Sequence, residues 1–244
     1  MSIIHYVNVI HTSADRRTRR HLARRDQVLA VALRLVEDEG LAALTVARIA
    51  KRLDAAVGAL YRSFPGKGAV LVALQARAIG ELEQEVHAEL ERAEARLRSR
   101  PPHGRREGPL RLLLAALRPF VEGHRREPAR HRLIDELLSN PEPVLSPAEL
   151  AEVNAALAPL ILAVRHRLDA CTAASALSPG DGPLRTRVLW AALHGVDHFR
   201  KRDRGEPLTL RTAAVGAALV RALLIGFGAR PADLDAALAV EGSR

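Results

Sequence analysis

The sequence predicts an all-α chain: an N-terminal head of three helices containing a helix-turn-helix, followed by a larger C-terminal helical domain. Two observations carry this. The stretch Thr45 to Lys67, TVARIAKRLDAAVGALYRSFPGK, spaces its apolar residues as two short helices around a tight turn. Beyond it, long stretches with apolar recurrences of three and four are punctuated by proline and glycine. A third observation is negative, since no alternation of apolar and polar residues reaches the length of a strand. At 244 residues and 48% hydrophobic content, the chain has material for one small core and one larger core.

Met1 to Asp15 shows no helical period, and Arg16, Arg17, Arg19, Arg20, Arg24 and Arg25 follow in quick succession. Residues 1–21 therefore read as a disordered basic arm, ahead of a head over 22–68 and a second domain over 69–244. The apolar run Ile3 to Ile10 is broken by His5 and Asn8 and lacks a cationic start, so neither a signal peptide nor a membrane span is expected there.

A first helix ends at Glu39-Gly40. Thr45 is placed to N-cap the next, whose inward face is Val46, Ile49, Ala50 and Leu53. Asp54 takes the turn, because Asp tolerates a left-handed backbone better than most residues. In the following helix Leu53, Ala56, Leu60 and Phe64 share the inward face. Val57, Gly58, Ala59, Tyr61, Arg62 and Ser63 are left outward, a narrow and small-residued surface suited to a major groove. Pro65 and Gly66 end this helix, and Lys67 opens another, setting a cation beside free backbone N–H groups that favour a phosphate.

From Lys67 a long helix runs to about Arg98, and Arg100 to Pro109 has the composition of a loop. Leu110 to His124 and Ala129 to Ser139 are two shorter helices. Ser146-Pro147-Ala148-Glu149 is a capping box with proline at the first helical position, starting a long helix towards Ala176. The turn Ser178 to Pro183 separates it from a helix over Leu184 to Asp203. A last major helix covers Leu210 to Ile225, with a short tail helix after Pro231. The apolar stretch Thr212 to Ala229 contains Arg221 and several glycines, and reads as a buried or interface helix rather than a membrane span.

Charge is unevenly placed. Residues 1–68 carry 12 Lys+Arg against 6 Asp+Glu and the rest 25 against 22, so two-thirds of the net +9 lies in the first part of the chain. One end thus suits a polyanion, and with a helix-turn-helix there the first partner to consider is double-stranded DNA.

Thr45 through Ile49-Ala50, then Gly58-x-Leu60-Tyr61-x-x-Phe64-x-x-Lys67, after a helix ending in Glu39-Gly40, resembles the DNA-binding signature of TetR-family transcriptional regulators. The resemblance implies a homodimer whose N-terminal heads read a palindromic DNA operator and whose C-terminal domains bind a small-molecule effector and dimerise. It also implies that Thr45, Tyr61 and Lys67 hold phosphates while Val57, Ala59 and Arg62 face base edges, with Val46, Arg48, Gly58 and Ser63 completing the DNA-facing set. Three positions depart from the family pattern: Asp54 replaces a common turn glycine, Ala56 a common Ser or Thr cap, and Gly68 a common acidic residue. Loss of such a cap costs a helix ~1 kcal/mol, part of which Asp54 is placed to recover from upstream.

Other chemistry is thin. His194 and His198 are four apart with Asp197 beside them, but a hydrogen-bonded pair is expected rather than a metal site, because no third ligand follows. The single cysteine, Cys171, has no basic cluster to activate it, is read as packing, and suits a reducing cytoplasm. With no phosphate-cradling loop, nucleophile elbow or paired-carboxylate site, neither an enzyme activity nor a cofactor is expected.

The helices over 184–203 and 210–225 are expected to form a four-helix dimer interface, through Val188, Ala191, Ala192, Gly195 and Phe199 on one and Ala213, Ala214, Ala217, Val220 and Leu224 on the other. An effector pocket would have aliphatic walls, as aromatic content is only 3%, with Phe120, His124, Arg165, Trp190 and His194 as its rare aromatic or polar fixtures. That favours a hydrophobic effector. The reading that follows is a repressor released from its operator by a small hydrophobic ligand. Two rivals stand beside it: a sequence-indifferent architectural DNA-binding protein, motivated by the bare Val57-Gly58-Ala59 face, and an apolar-ligand carrier with a vestigial head.

Overall fold

The computed structural model describes residues 3–99, 104–126, 130, 133 and 145–239. Within them the regular elements are α1 (Ile3–Glu39), α2 (Val46–Arg52), α3 (Val57–Tyr61), α4 (Lys67–Ser99), α5 (Glu107–Arg126), α6 (Pro147–Ala173), α7 (Gly182–Asp197), α8 (Thr212–Gly226) and α9 (Pro231–Ala239). Short 3-10 turns cover Leu41–Ala43, His198–Arg202 and Leu208–Leu210. Among the described residues there is no strand, and the protein is all-α.

Two compact units divide the chain: Met1–Gln75 with Pro141–Glu152, and Ala76–Asn140 with Val153–Arg244. The division falls inside α4 rather than at residue 68, and the first unit also takes in the start of α6. Val70, Leu71, Val72, Ala73 and Leu74 are all buried, which is why the first turns of α4 count with the head rather than beyond it.

The expected disordered arm is not what the structure has, since α1 is one helix from Ile3 to Glu39. A search for period could not find it. From Thr18 to Arg24 the described side chains are largely exposed, so no buried face marks them; arginine, leucine and alanine favour the helix by propensity. The buried face begins only at Val28 and Leu29 and continues through Val31, Ala32, Leu35 and Val36.

The second unit is organised by stripes of three-and-four period. On α6 the buried side chains are Val153, Leu157, Leu160, Val164, Leu168 and Cys171, each removal of such an aliphatic chain from water being worth about 1.5–3 kcal/mol. By length and composition α6 is apolar enough to cross a membrane, yet this stripe packs inside the unit. The other buried positions of the unit include Leu110, Leu113, Ala116, Leu117 and Phe120 of α5, Leu189 and Leu193 of α7, Val220 and Leu224 of α8, and Leu234 and Ala237 of α9. The carboxylate of Glu89 is buried and paired with Arg118 at 3.3 Å, and Arg130 makes two bonds to Glu85 at 2.8 and 2.9 Å; a charge taken from water needs such a partner.

Several boundaries move. The helix expected to reach Ala176 stops at Ala173, where Ser175 takes a φ of 58° and turns the chain. The helix expected to Asp203 ends at Asp197 and continues as a 3-10 turn. Ala129 to Ser139 lies outside the described residues apart from Arg130 and Leu133. On α8, Val220 and Leu224 are buried within their own unit, whereas Ala217 of the same expected face is exposed and Ala213 and Ala214 are half-buried. Among larger apolar side chains α8 exposes Val215 and Ile225, and α7 and the turn after it expose Leu184 and Phe199; Phe199 and the exposed Ala191 belong to the expected interface face.

Candidate nucleic-acid interface and effector cavity

The helix-turn-helix is built from local rules. Thr45 has extended backbone and its Oγ1 accepts the N–H of Arg48 at 3.2 Å, capping α2. At the other end Asp54 has a φ of 48°, the Ala55 N–H reaches back to the Ala50 carbonyl at 3.0 Å, and the Asp54 N–H to Lys51 at 3.4 Å. This is the left-handed stop usually made with glycine, here made with aspartate. The chain then enters α3 through Ala56, which has no side-chain cap bond and is exposed rather than inward-facing. Asp54 is committed to the turn, so the recovery of the missing cap from upstream does not occur. What anchors the short α3 is burial of Leu60 and Phe64, with 2% and 1% of their surface exposed.

The outward face is as bare as its residue types suggest. Val57, Gly58, Tyr61 and Arg62 are exposed, and Ala59 and Ser63 half-buried. Lys67 is the first residue of α4 and is half-buried. Two members of the expected DNA-facing set have other duties. Val46 is buried in the head, so its side chain cannot reach a base. The Arg48 guanidinium pairs with Glu39, and Arg52, one turn on, pairs with Glu39 at 3.0 Å and Asp38 at 3.3 Å. Those two carboxylates close α1, where the helix dipole disfavours negative charge, and α2 supplies the cations that offset it. The hydrogen bond from Arg48 holds the Glu39 carboxyl below its usual range. Arg25, from the basic run, lies over the Phe64 ring at 4.7 Å, so part of the head's positive charge serves packing.

One feature of the head is not local. A β-carbon at Gly68 would run into the carboxylate of Glu149, which in turn accepts bonds from the N–H and hydroxyl of Ser146, both at 2.8 Å. The Ser146 hydroxyl accepts the Glu149 N–H at 3.3 Å, completing the expected capping box. The first turn of α4 contains no acidic residue of its own. Glu149 thus brings a negative charge to the N-terminal end of α4, where the dipole favours it, at the position where the family pattern has an acidic side chain.

In the second unit, α6 and α7 enclose a cavity of ≈ 640 Å³. Three of the five expected effector residues, Arg165, Trp190 and His194, line it. Phe120 stands behind them, its ring edge-on to Trp190 at 5.8 Å, and Trp190 stacks on His194 at 4.6 Å. The side chain of His124 lies outside the described residues. His194 and His198 each bond through Nδ1 to the carbonyl four residues earlier, at 2.9 Å. Residue types alone miss Arg187 and Asn154, which also line the cavity. Arg187 is within reach of a helical reading, because it is three residues before Trp190 and seven before His194 on the same helix face. Cys171 is fully buried, and burial pushes its thiol up to about 12, so the nucleophilic thiolate is suppressed.

Residues 28–74 match the bacterial regulatory proteins of the tetR family. Solved structures similar over most of the chain include FadR from Bacillus subtilis in complex with stearoyl-CoA, 15% identical with TM-score 0.60, covering 82% of this chain and 97% of that one. SmeT, the repressor of the Stenotrophomonas maltophilia multidrug efflux pump SmeDEF, is 19% identical with TM-score 0.58, covering 83% and 89%. PfmR from Thermus thermophilus, a TetR family transcriptional regulator, is 21% identical with TM-score 0.54, covering 81% and 97%. No curated protein matches the chain.

Proposed function

We propose that this chain, whose residues 28–74 match the tetR family of bacterial regulatory proteins, is a transcriptional repressor that a small molecule releases from a palindromic operator. The observation that carries this is the α2–turn–α3 unit, with Thr45 capping, Asp54 turning and Val57, Tyr61 and Arg62 exposed. In this reading Tyr61 and Lys67 hold phosphates, Arg62 reads a base edge, and Val57 and Ala59 meet thymine methyl groups. A homodimer through the outer faces of α7 and α8 sets two α3 helices one helical turn of DNA apart, ~34–36 Å. An effector in the α6–α7 cavity acts through α4, which is continuous from Lys67 to Ser99 and so is shared by both units. Effector and operator then oppose each other reciprocally. That neighbours of the same fold include a multidrug-pump repressor and a regulator crystallised with stearoyl-CoA supports the reading without identifying this chain's ligand.

A second reading is favoured by one observation, the near absence of hydrogen-bonding side chains on the exposed α3 face. It is a DNA-coating protein indifferent to sequence. Gel-shift competition between genomic fragments separates the two. Saturable preference for a fragment upstream of its own or a neighbouring gene is the expected result; equal binding to all fragments favours the coating protein, and no binding at low salt rejects both.

A further inference from the structure

Resting on the reading of the α6–α7 cavity as the effector site, we infer that its ligand is an amphiphilic monoanion, an apolar body ending in a carboxylate, rather than a neutral hydrophobic molecule. The cavity's charged lining has one sign. Arg165 and Arg187 line it, and among its lining residues there is no carboxylate. Arg165 lies towards the α6–α7 turn. Arg165 Nε is 3.8 Å from where a β-carbon on Gly182 would stand, and Arg187 is a turn and a half along α7 from that glycine. The lining also holds Leu157, Ile161 and the Trp190 ring, surfaces that take an aliphatic or flat apolar body, beside Asn154, His194 and His198. Arg165 is partly compensated by Asp169 at 3.6 Å, which leaves Arg187 as the main partner for the ligand's carboxylate.

The other apolar cavity of this unit makes the contrast. It lies between α5, α8 and α9, measures ≈ 310 Å³, and its Arg118 and Arg221 are already paired with Glu89 at 3.3 Å and Asp235 at 2.9 Å. Apart from Glu122, its remaining walls are apolar. In the α6–α7 cavity a carboxylate would meet a guanidinium in a charge-assisted bond, roughly twice as strong as a neutral one. A cationic head would meet Arg187, with only Asp169, already paired with Arg165, to offset it.

Trp190 is the sole tryptophan, so intrinsic fluorescence reports on this cavity. The test titrates the full-length protein with dodecanoate, dodecanol and dodecylammonium below their micellar range, following Trp190 emission, and measures retention of a bound upstream DNA fragment in parallel. Dodecanoate is expected to saturate, dodecanol to bind about tenfold more weakly, the factor that one charge-assisted bond supplies, and dodecylammonium not to bind. Arg187→Met should erase the preference for the acid, bringing dodecanoate to the affinity of dodecanol while both still saturate, which a merely unfolded variant would not do. Equal affinity for acid and alcohol overturns the inference but leaves a hydrophobic effector site standing. A Trp190 response to dodecanoate with no loss of DNA supports the ligand class and overturns release by ligand. No Trp190 response to dodecanoate overturns the inference outright, even where a thermal shift reports binding elsewhere.

Discussion

The helix-turn-helix head and the α6–α7 cavity assemble their candidate functional side chains in opposite ways. In the head, Thr45, Asp54, Tyr61, Arg62 and Lys67 fall on consecutive local elements, and each is positioned by a cap, a turn or a helix start. In the cavity, Arg165 and Trp190 come from different helices and meet only because the two buried stripes bring α6 and α7 together. Function and folding are therefore separable in the head, where the exposed residues carry little packing. In the cavity they are entangled, since Trp190 also holds Phe120 and His194.

That contrast can be broken most severely through the head's own core. Phe64→Ala should cost about 3–5 kcal/mol, read as a loss of urea midpoint, because it removes a ring with 1% of its surface exposed together with the Arg25 contact. A change under about 1 kcal/mol would mean that α3 is anchored by something else. The second unit offers an alkaline counterpart. Cys171 ionises near 9.0 when unfolded and near 12 when folded, so its contribution is intact below pH 9 and is lost as pH rises through that window. Within it stability should fall by about 1.4 kcal/mol per pH unit, and Cys171→Ala should remove that increment when unfolding is compared at about pH 8.5 and 10.5. Parallel slopes for the two proteins would contradict the buried thiol.

Smaller effects sharpen the functional side. Arg62→Ala should lower discrimination between operator and unrelated DNA by ~1–3 kcal/mol in competition binding, whereas Lys67→Ala should weaken all DNA alike and reduce the salt slope by about one. If Arg62→Ala leaves discrimination intact, the reading face lies elsewhere. Smallest is Asp54→Gly, which should stabilise the head by about 1 kcal/mol or less in thermal unfolding by relieving a left-handed aspartate. Destabilisation would show that the Asp54 side chain makes a contact of its own.

The same contrast explains what can be read from the residues alone. Capping by Thr45 and the turn at Asp54 are properties of a few adjacent residues, and both are legible. The helical course of residues 3–21 is not, because the sequence there carries no apolar period to mark it. Spacing assigns Ala56 to the inward face only by extending the period one turn beyond the start of α3. Arg48 and Val46 look like groove residues by position, yet pairing with Glu39 and burial respectively are fixed by α1, which spacing within α2 cannot report. Trp190 and Arg165 stand out as rare residue types; their meeting in one cavity requires the packed helices.

Position 68 carries a further consequence. A side chain there and the carboxylate of Glu149 compete for one space, so the two sites are not independently variable. An acidic charge at the start of α4 can be written either into α4 itself or into α6, and writing it in both places is sterically penalised. Gly68→Glu and Glu149→Ala should therefore be better tolerated together than Gly68→Glu alone. Of the two ways to place that charge, this chain uses the one that makes the start of α6 an accessory of the DNA-binding head.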